Sequence, residues 1–244
     1  MRVRLLLALG LLSGCLDSPP AGVVEADGGA ADGGSDAAPG ADGAIGACRG
    51  SLYLPLTSEA DVAGWGVTDG RFCSYGFTGT GLEFINDGSP STCSLHSDKL
   101  VDLTGNRLSV RLTDANASLS MTFSVVVGSP EIAFNDRRWI YFERDDGKLQ
   151  FGECSPDIGG CSDTYWGSVT YNPELHRWLS FSRELGGDSL VLETSDDGVT
   201  FGARAAPNQV LPEDVLCVGV DLGSYEVGSI GTATSSSFSD LRTN

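Results

Sequence analysis

The chain has 244 residues, with 33 acidic against 15 basic side chains, a formal net charge of −18, 41% hydrophobic residues and 7 cysteines. A surface this acidic repels phosphate, which excludes nucleic acid as a partner. Aromatic and β-branched residues in the later part exclude disorder throughout. Outside the first segment, no apolar run reaches the ~18 residues that span a bilayer.

Residues 1–14 read as an export signal. Arg2 and Arg4 supply the positive start, and Leu5 to Leu12 the apolar run. The segment ends in Leu12-Ser13-Gly14-Cys15, which resembles the lipobox of bacterial lipoproteins. The resemblance implies a diacylglyceryl group on the Cys15 thiol and cleavage before it. It also implies a chain anchored by two or more acyl groups in a bacterial cell envelope. Leu16 and Asp17 leave inner against outer membrane open.

Residues 15–47, from the lipidated cysteine onward, read as a disordered tether. Among positions 16–47, Ala, Gly, Asp and Pro supply 25 of 32 residues, with no aromatic and no Lys or Arg. Such a segment buries too little apolar surface to offset the entropy of ordering it. As a coil it would span about 30 Å. Its Ala-Asp-Gly units lack the alternate oxygen ligands and closing Glu of a calcium loop.

Residues 48–244 are expected to fold as one domain. An even set of six cysteines in an exported chain favours disulfides over metal, and fifteen pairings are possible. Cys154 and Cys161 close a short turn-rich loop and pair first; Cys73 and Cys93 flank a Gly-rich stretch and pair second. Cys48 and Cys217 are then joined. There is no Cys-x-x-Cys, and His96 and His176 stand far in sequence from any paired cysteines.

The pattern of this domain has period two. In 107–113, Leu108, Val110 and Leu112 alternate with Arg107, Ser109 and Arg111, and 119–125 repeats the alternation. Further strands are expected at 51–56, 80–86, 138–144, 147–153, 165–171, 177–184, 188–194, 215–221 and 229–239. Asn86-Asp87-Gly88, Asp145-Asp146-Gly147, Gly186-Gly187-Asp188 and Asp196-Asp197-Gly198 are hairpin signals between them. Some eleven strands in one domain imply a two-sheet sandwich or a barrel.

Within 165–244, a Trp-bearing strand (Arg177 to Arg183), a Gly-Gly turn and a second strand (Ser189 to Thr194) lead into Ser195-Asp196-Asp197-Gly198-Val199-Thr200-Phe201. This succession resembles bacterial concanavalin A-like, laminin-G-like domains, with Phe201 where Trp is commoner. Ser237-Phe238-Ser239-Asp240-Leu241 resembles their last strand, which returns beside the first. The likeness thins towards residue 48. It implies an all-β antiparallel jelly-roll sandwich of two curved sheets, one with a concave face. A Cys48–Cys217 bridge suits that topology, because it brings the ends of the domain together.

Relatives on that fold include lectins, adhesion modules and laminarinase-type glycosidases, whose Glu-x-Asp-x-(x)-Glu strand carries acid and nucleophile. The nearest match here, Glu143-Arg144-Asp145-Asp146-Gly147, lacks the second Glu and puts Asp145 in a hairpin turn. No Gly-x-Ser-x-Gly elbow, phosphate loop or dinucleotide fingerprint occurs. His176 reads as an exposed strand end and His96 as part of the Cys93 loop. The better candidates are strand faces. Trp139, Tyr141 and Glu143 share one side of 138–144, where rings beside an acceptor suit a sugar. Trp178 with Arg183 is a second candidate. Calcium would call on the acidic loops Asn135-Asp136, Asp145-Asp146 and Asp196-Asp197, with no ligands assigned. The reading is thus a non-catalytic binder of a polysaccharide or a surface protein. A diverged glycosidase and a structural envelope protein without small ligand are the alternatives.

Overall fold

The computed structural model describes residues 48–68, 70, 72–87, 89, 91–113, 120–127, 137–145, 147–157, 160–183, 189–205, 217–226 and 234–244. At 98, 99, 157, 160, 161, 205, 225, 226 and 234 this extends to the backbone alone. Residues 1–47, over which the leader, lipidated Cys15 and tether are expected, and Asn135, Asp136 and Asp146 lie outside the described residues.

The fold is an all-β jelly-roll sandwich of two antiparallel sheets. Its strands are β1 (Tyr53–Leu54), β2 (Gly66–Thr68), β3 (Cys73–Phe77), β4 (Leu82–Asn86), β5 (Ser91–Asp102), β6 (Arg107–Leu112), β7 (Met121–Val127) and β8 (Arg138–Asp145). They continue as β9 (Lys148–Asp157), β10 (Gly160–Thr170), β11 (Trp178–Arg183), β12 (Leu190–Ser195), β13 (Gly202–Ala205), β14 (Cys217–Glu226) and β15 (Thr234–Thr243). Sheet A runs β10-β9-β8-β7-β14-β5-β2, and sheet B runs β13-β12-β11-β6-β15-β4-β3. In sheet B, β1 joins the far end of β15, pairing Tyr53 with Arg242 and Leu54 with Leu241.

Period-two alternation turns one face of every long strand onto the opposite sheet. Phe123 and Phe142 of sheet A meet Phe181 of sheet B with ring centroids 4.9 and 5.3 Å apart. Phe84 and Phe238 make an edge contact at 6.0 Å in the other half of the core. The Cys73–Cys93 disulfide crosses between sheets, from β3 to β5, and Cys48–Cys217 ties the start of the domain to β14. Cys154 is disulfide-bonded too, whereas the side chain of Cys161 lies outside the described set.

Strands β2, β3, β5 and β13 were not expected. The longest, β5, hides in Ser91-Thr92-Cys93-Ser94-Leu95-His96-Ser97, where polar residues fill the outward positions and few apolar ones the inward. A register shift against β14, between Val218 and Val220, then breaks the alternation before Leu100 and Val101 resume it. His96 therefore sits within a central strand instead of a loop. Asp145 is likewise the last residue of β8, in register with Lys148, and the turn begins after it. Gly147, at φ +70°, supplies the left-handed position of that hairpin. His176 is buried, not exposed: its Nδ1 accepts the Asn172 N–H at 3.1 Å, and burial together with Arg204 holds its pKa below the usual histidine range.

Candidate functional site

The outward face of β8 carries Trp139, Tyr141 and Glu143, while Ile140 and Phe142 enter the core fully buried. Ladder registers place this face within a row. Tyr165 of β10 and Gly152 of β9 align with Tyr141, then come Ser124 of β7, Asp221 of β14, His96 of β5 and Gly66 of β2. A second row holds Ser168, Gln150, Glu143, Thr122, Gly223, Ser94 and Thr68. On the other side, Trp139 lies between Val126 and Cys154, with Asp163 beyond.

The face is recessed. Tyr141, Ser124, Asp221 and Ser94 are 6%, 5%, 8% and 7% exposed, although none points into the core between the sheets. Small residues make the floor. A Cβ on Gly152 would come within 2.9 Å of the Tyr141 hydroxyl, and one on Gly66 would run into the His96 ring. Glycine at these two positions is what lets those side chains lie flat over the strands. Tyr165 stands at the rim, 57% exposed, edge-on to Tyr141 with ring centroids 6.4 Å apart. The Tyr141 hydroxyl donates to Asp163 Oδ1 at 3.4 Å.

Burial dominates the electrostatics. It pushes Glu143 up to about 7, reinforced by the neighbouring Asp145 and Asp163. It also pushes Asp221 up to about 7, against the opposing hydrogen bond from Ser94. Tyr141 and Tyr165 are raised as well, again chiefly by burial and then by the surrounding carboxylates. Among the described residues, no group of three or more His, Cys, Asp or Glu side chains converges as a metal would require.

The second candidate does not form one site. Trp178 and Arg183 are five residues apart on a strand, an odd spacing, and point to opposite faces of sheet B. Arg183 turns inward and is 6% exposed. Trp178 faces outward but is covered: the Arg242 guanidinium lies 4.3 Å from its ring centre and donates to the Gly198 carbonyl at 2.9 Å. Gly198, at φ +73°, packs so close that a Cβ would lie 2.5 Å from the indole. Ser195 and Asp197 build that turn. Asp197 Oδ1 accepts the Val199 and Thr200 N–H groups at 2.8 Å each, which holds its pKa down to about 2. The motif that carries the family resemblance is thus a structural turn, capped by Arg107 stacked 4.4 Å over Phe201 and paired with Glu193 at 2.8 Å.

Sequence reasoning missed Asp163, Asp221 and His96. The signal for Asp221 was a carboxylate between core residues Val220 and Leu222, with Gly219 and Gly223 at the same parity. That pattern marks an outward face lacking side chains around one acid.

No protein-family model matches the chain, and no curated protein sequence is similar to it. Solved structures are. The legume lectin-like domain from Entamoeba histolytica superposes with a TM-score of 0.56 at 12% identity, covering 79% of this chain and 96% of that one. Bacillus licheniformis β-glucanase superposes at 0.51 and 12% identity, covering 80% and 98%. The VIP36 exoplasmic/lumenal domain, in its Ca2+/Man3GlcNAc-bound form, superposes at 0.50 and 11% identity, covering 80% and 87%. The chain therefore has the lectin-like, concanavalin A-like jelly-roll fold. At these identities the likeness is one of fold, and the site must speak for function.

Proposed function

We propose that the chain binds a polysaccharide on the outer face of sheet A without cleaving it. The observation that carries this is the recessed row Tyr165–Gly152–Tyr141–Ser124–Asp221–His96, where an exposed ring leads onto a floor of small residues and one carboxylate, with Glu143 in the next row. Sugars match such a surface, because their C–H faces pack on rings while their hydroxyls bond carboxylates. Lectin-like and glucanase neighbours share the fold and support the reading. Tyr165, 57% exposed at the rim, also weighs against a purely structural role. A glycan-array screen of the full chain should find saturable binding to one glycan class. Tyr165→Ala, which leaves the core untouched, should weaken that binding about tenfold, or about 1.4 kcal/mol. Binding to no glycan, or unchanged affinity in the variant, would sink the proposal.

A diverged hydrolase is the second reading, favoured by two carboxyls at about 7 on one face. An acid–base couple needs one carboxyl protonated and the other ionised. Release of reducing ends during the array incubation would replace the first reading by the second.

We further infer that Cys15 is lipidated and holds the domain to a bacterial envelope through residues 16–47, which rests on the Leu12-Ser13-Gly14-Cys15 pattern. Cys15→Ser should move the chain from the membrane pellet to the supernatant; an unchanged distribution would refute the anchor.

A further inference from the structure

A sheet ends in strands whose outer N–H and C=O groups are left without a ladder partner, and folds commonly shorten or charge such strands. Three of the four sheet edges here are short: β2 has 3 residues, β13 has 4 and β3 has 5. The fourth, β10, has 11. It holds no proline, lysine or arginine, and Asp163 is its single charged residue, in a chain where 20% of residues are charged. From Gly160 to Tyr165 it keeps unbroken register with β9, and its bulge comes only between Tyr165 and Gly167. Ser162, Asp163, Thr164 and Tyr165 are exposed in succession, so both sides of this run reach solvent. Thr164 aligns through Glu153 with Ile140, a core residue, and is exposed all the same. Among the described residues, no strand pairs with the outer side of β10. Its first half therefore overhangs the sandwich as an open edge with one charge.

Such an edge is completed by another extended strand. A net charge of −18 repels a second copy over most of the surface, and least along a strand with one charge. Symmetry then limits the register. A two-fold axis normal to the sheet keeps outward residues outward, so it pairs positions of equal parity. Centring on Asp163 would set two carboxylates opposite each other, which is destabilising. Centring on Thr164 sets it against the partner's Thr164, and Asp163 against the partner's Tyr165. Threonine pairs are favourable across strands, and a tyrosine hydroxyl can donate to a carboxylate beside it. The two Asp163 residues then meet only on the diagonal, about 7–8 Å apart. We propose that the chain forms a homodimer by antiparallel pairing of β10 with its copy, which joins the two A sheets into one. The outer face then runs on from one copy into the other, with both Tyr165 rings at its middle.

The test is sedimentation velocity of the full chain carrying Cys15→Ser, across micromolar concentrations, with amide hydrogen exchange at each end of the range. The chain should dimerise, and protection of the β10 amides should rise with concentration. Adding Thr164→Lys sets two cations opposite each other at the axis and should raise the dimer dissociation constant about tenfold. Thr164→Val keeps a β-branched pair there and should leave the constant nearly unchanged. Matching urea transitions in all three chains check that the fold survives. A chain that stays monomeric through the whole range overturns the inference. A dimer that leaves the β10 amides unprotected, or that survives Thr164→Lys, is formed elsewhere and also overturns it. Equal weakening by both Thr164 variants overturns the register. None of these outcomes bears on whether a single copy binds a glycan, so this inference and the glycan reading fail separately.

Discussion

Asp221→Asn should stabilise the ligand-free chain at alkaline pH by on the order of 2–4 kcal/mol, an unusual result for a substitution at a buried polar position. The cause is burial: Asp221 is 8% exposed, and its carboxyl is pushed from 3.8 up to about 7. Between those values the folded chain keeps a proton that the unfolded chain releases. The native state then binds more protons than the unfolded one, so stability falls as pH rises. The contribution is fully present below about pH 4 and lost as pH passes through about 7. Glu143, raised from 4.5 to about 7, acts with the same sign from a half-buried position, so solvent screens more of its effect. Urea unfolding at about pH 4 and about pH 8 separates the cases: the variant should match the parent at the lower pH and exceed it at the higher. Equal curves at both would mean that the Asp221 charge costs the fold nothing. Asp221 stands in the row proposed to bind the glycan, so the same substitution should stabilise the chain and weaken binding. That combination is expected where a site holds charge the fold does not need.

The largest loss should come from opening the Cys48–Cys217 disulfide. It closes a sequence separation of 169, and constraint of the unfolded chain alone is worth about 5 kcal/mol. Local structure depends on it as well. The Arg49 N–H donates to the Leu100 carbonyl at 3.1 Å and the Arg49 carbonyl accepts the Asp102 N–H at 3.0 Å, next to where Cys217 pairs with Asp102. The bridge thus pins the start of the domain to β5 and β14 of sheet A before the chain crosses to sheet B as β1. Replacing both cysteines by serine should lower the unfolding free energy by about 3–5 kcal/mol in urea. The shorter Cys73–Cys93 link, with a separation of 20, is worth about 3 by the same reasoning. A loss below about 1 kcal/mol for the longer bridge would show that the unfolded chain is already held compact.

Much of the site could be read locally, because a strand needs only parity. Ile140 and Phe142 had to face the core, and Trp139, Tyr141 and Glu143 the other way, whatever the partner strands were. The same parity separates Trp178 from Arg183, and pairing them ignored it. Burial is not local. His176 follows Asn172-Pro173-Glu174-Leu175, which reads as a surface turn, yet the fold closes over its ring and turns Nδ1 to the Asn172 amide. Strand β5 escaped notice because a register shift erased the alternation that reveals a strand.

The sequence by itself determined the all-β class, the Cys73–Cys93 pair and the outward set of β8, since each depends on spacing along one stretch of chain. Tertiary structure alone decided that Asp163, Asp221 and His96 share the face of Glu143. Those residues come from strands far apart in the chain, and only ladder register aligns them. It also decided that two carboxyls titrate near neutrality, because desolvation is set by what surrounds a group in space and not by its neighbours along the chain.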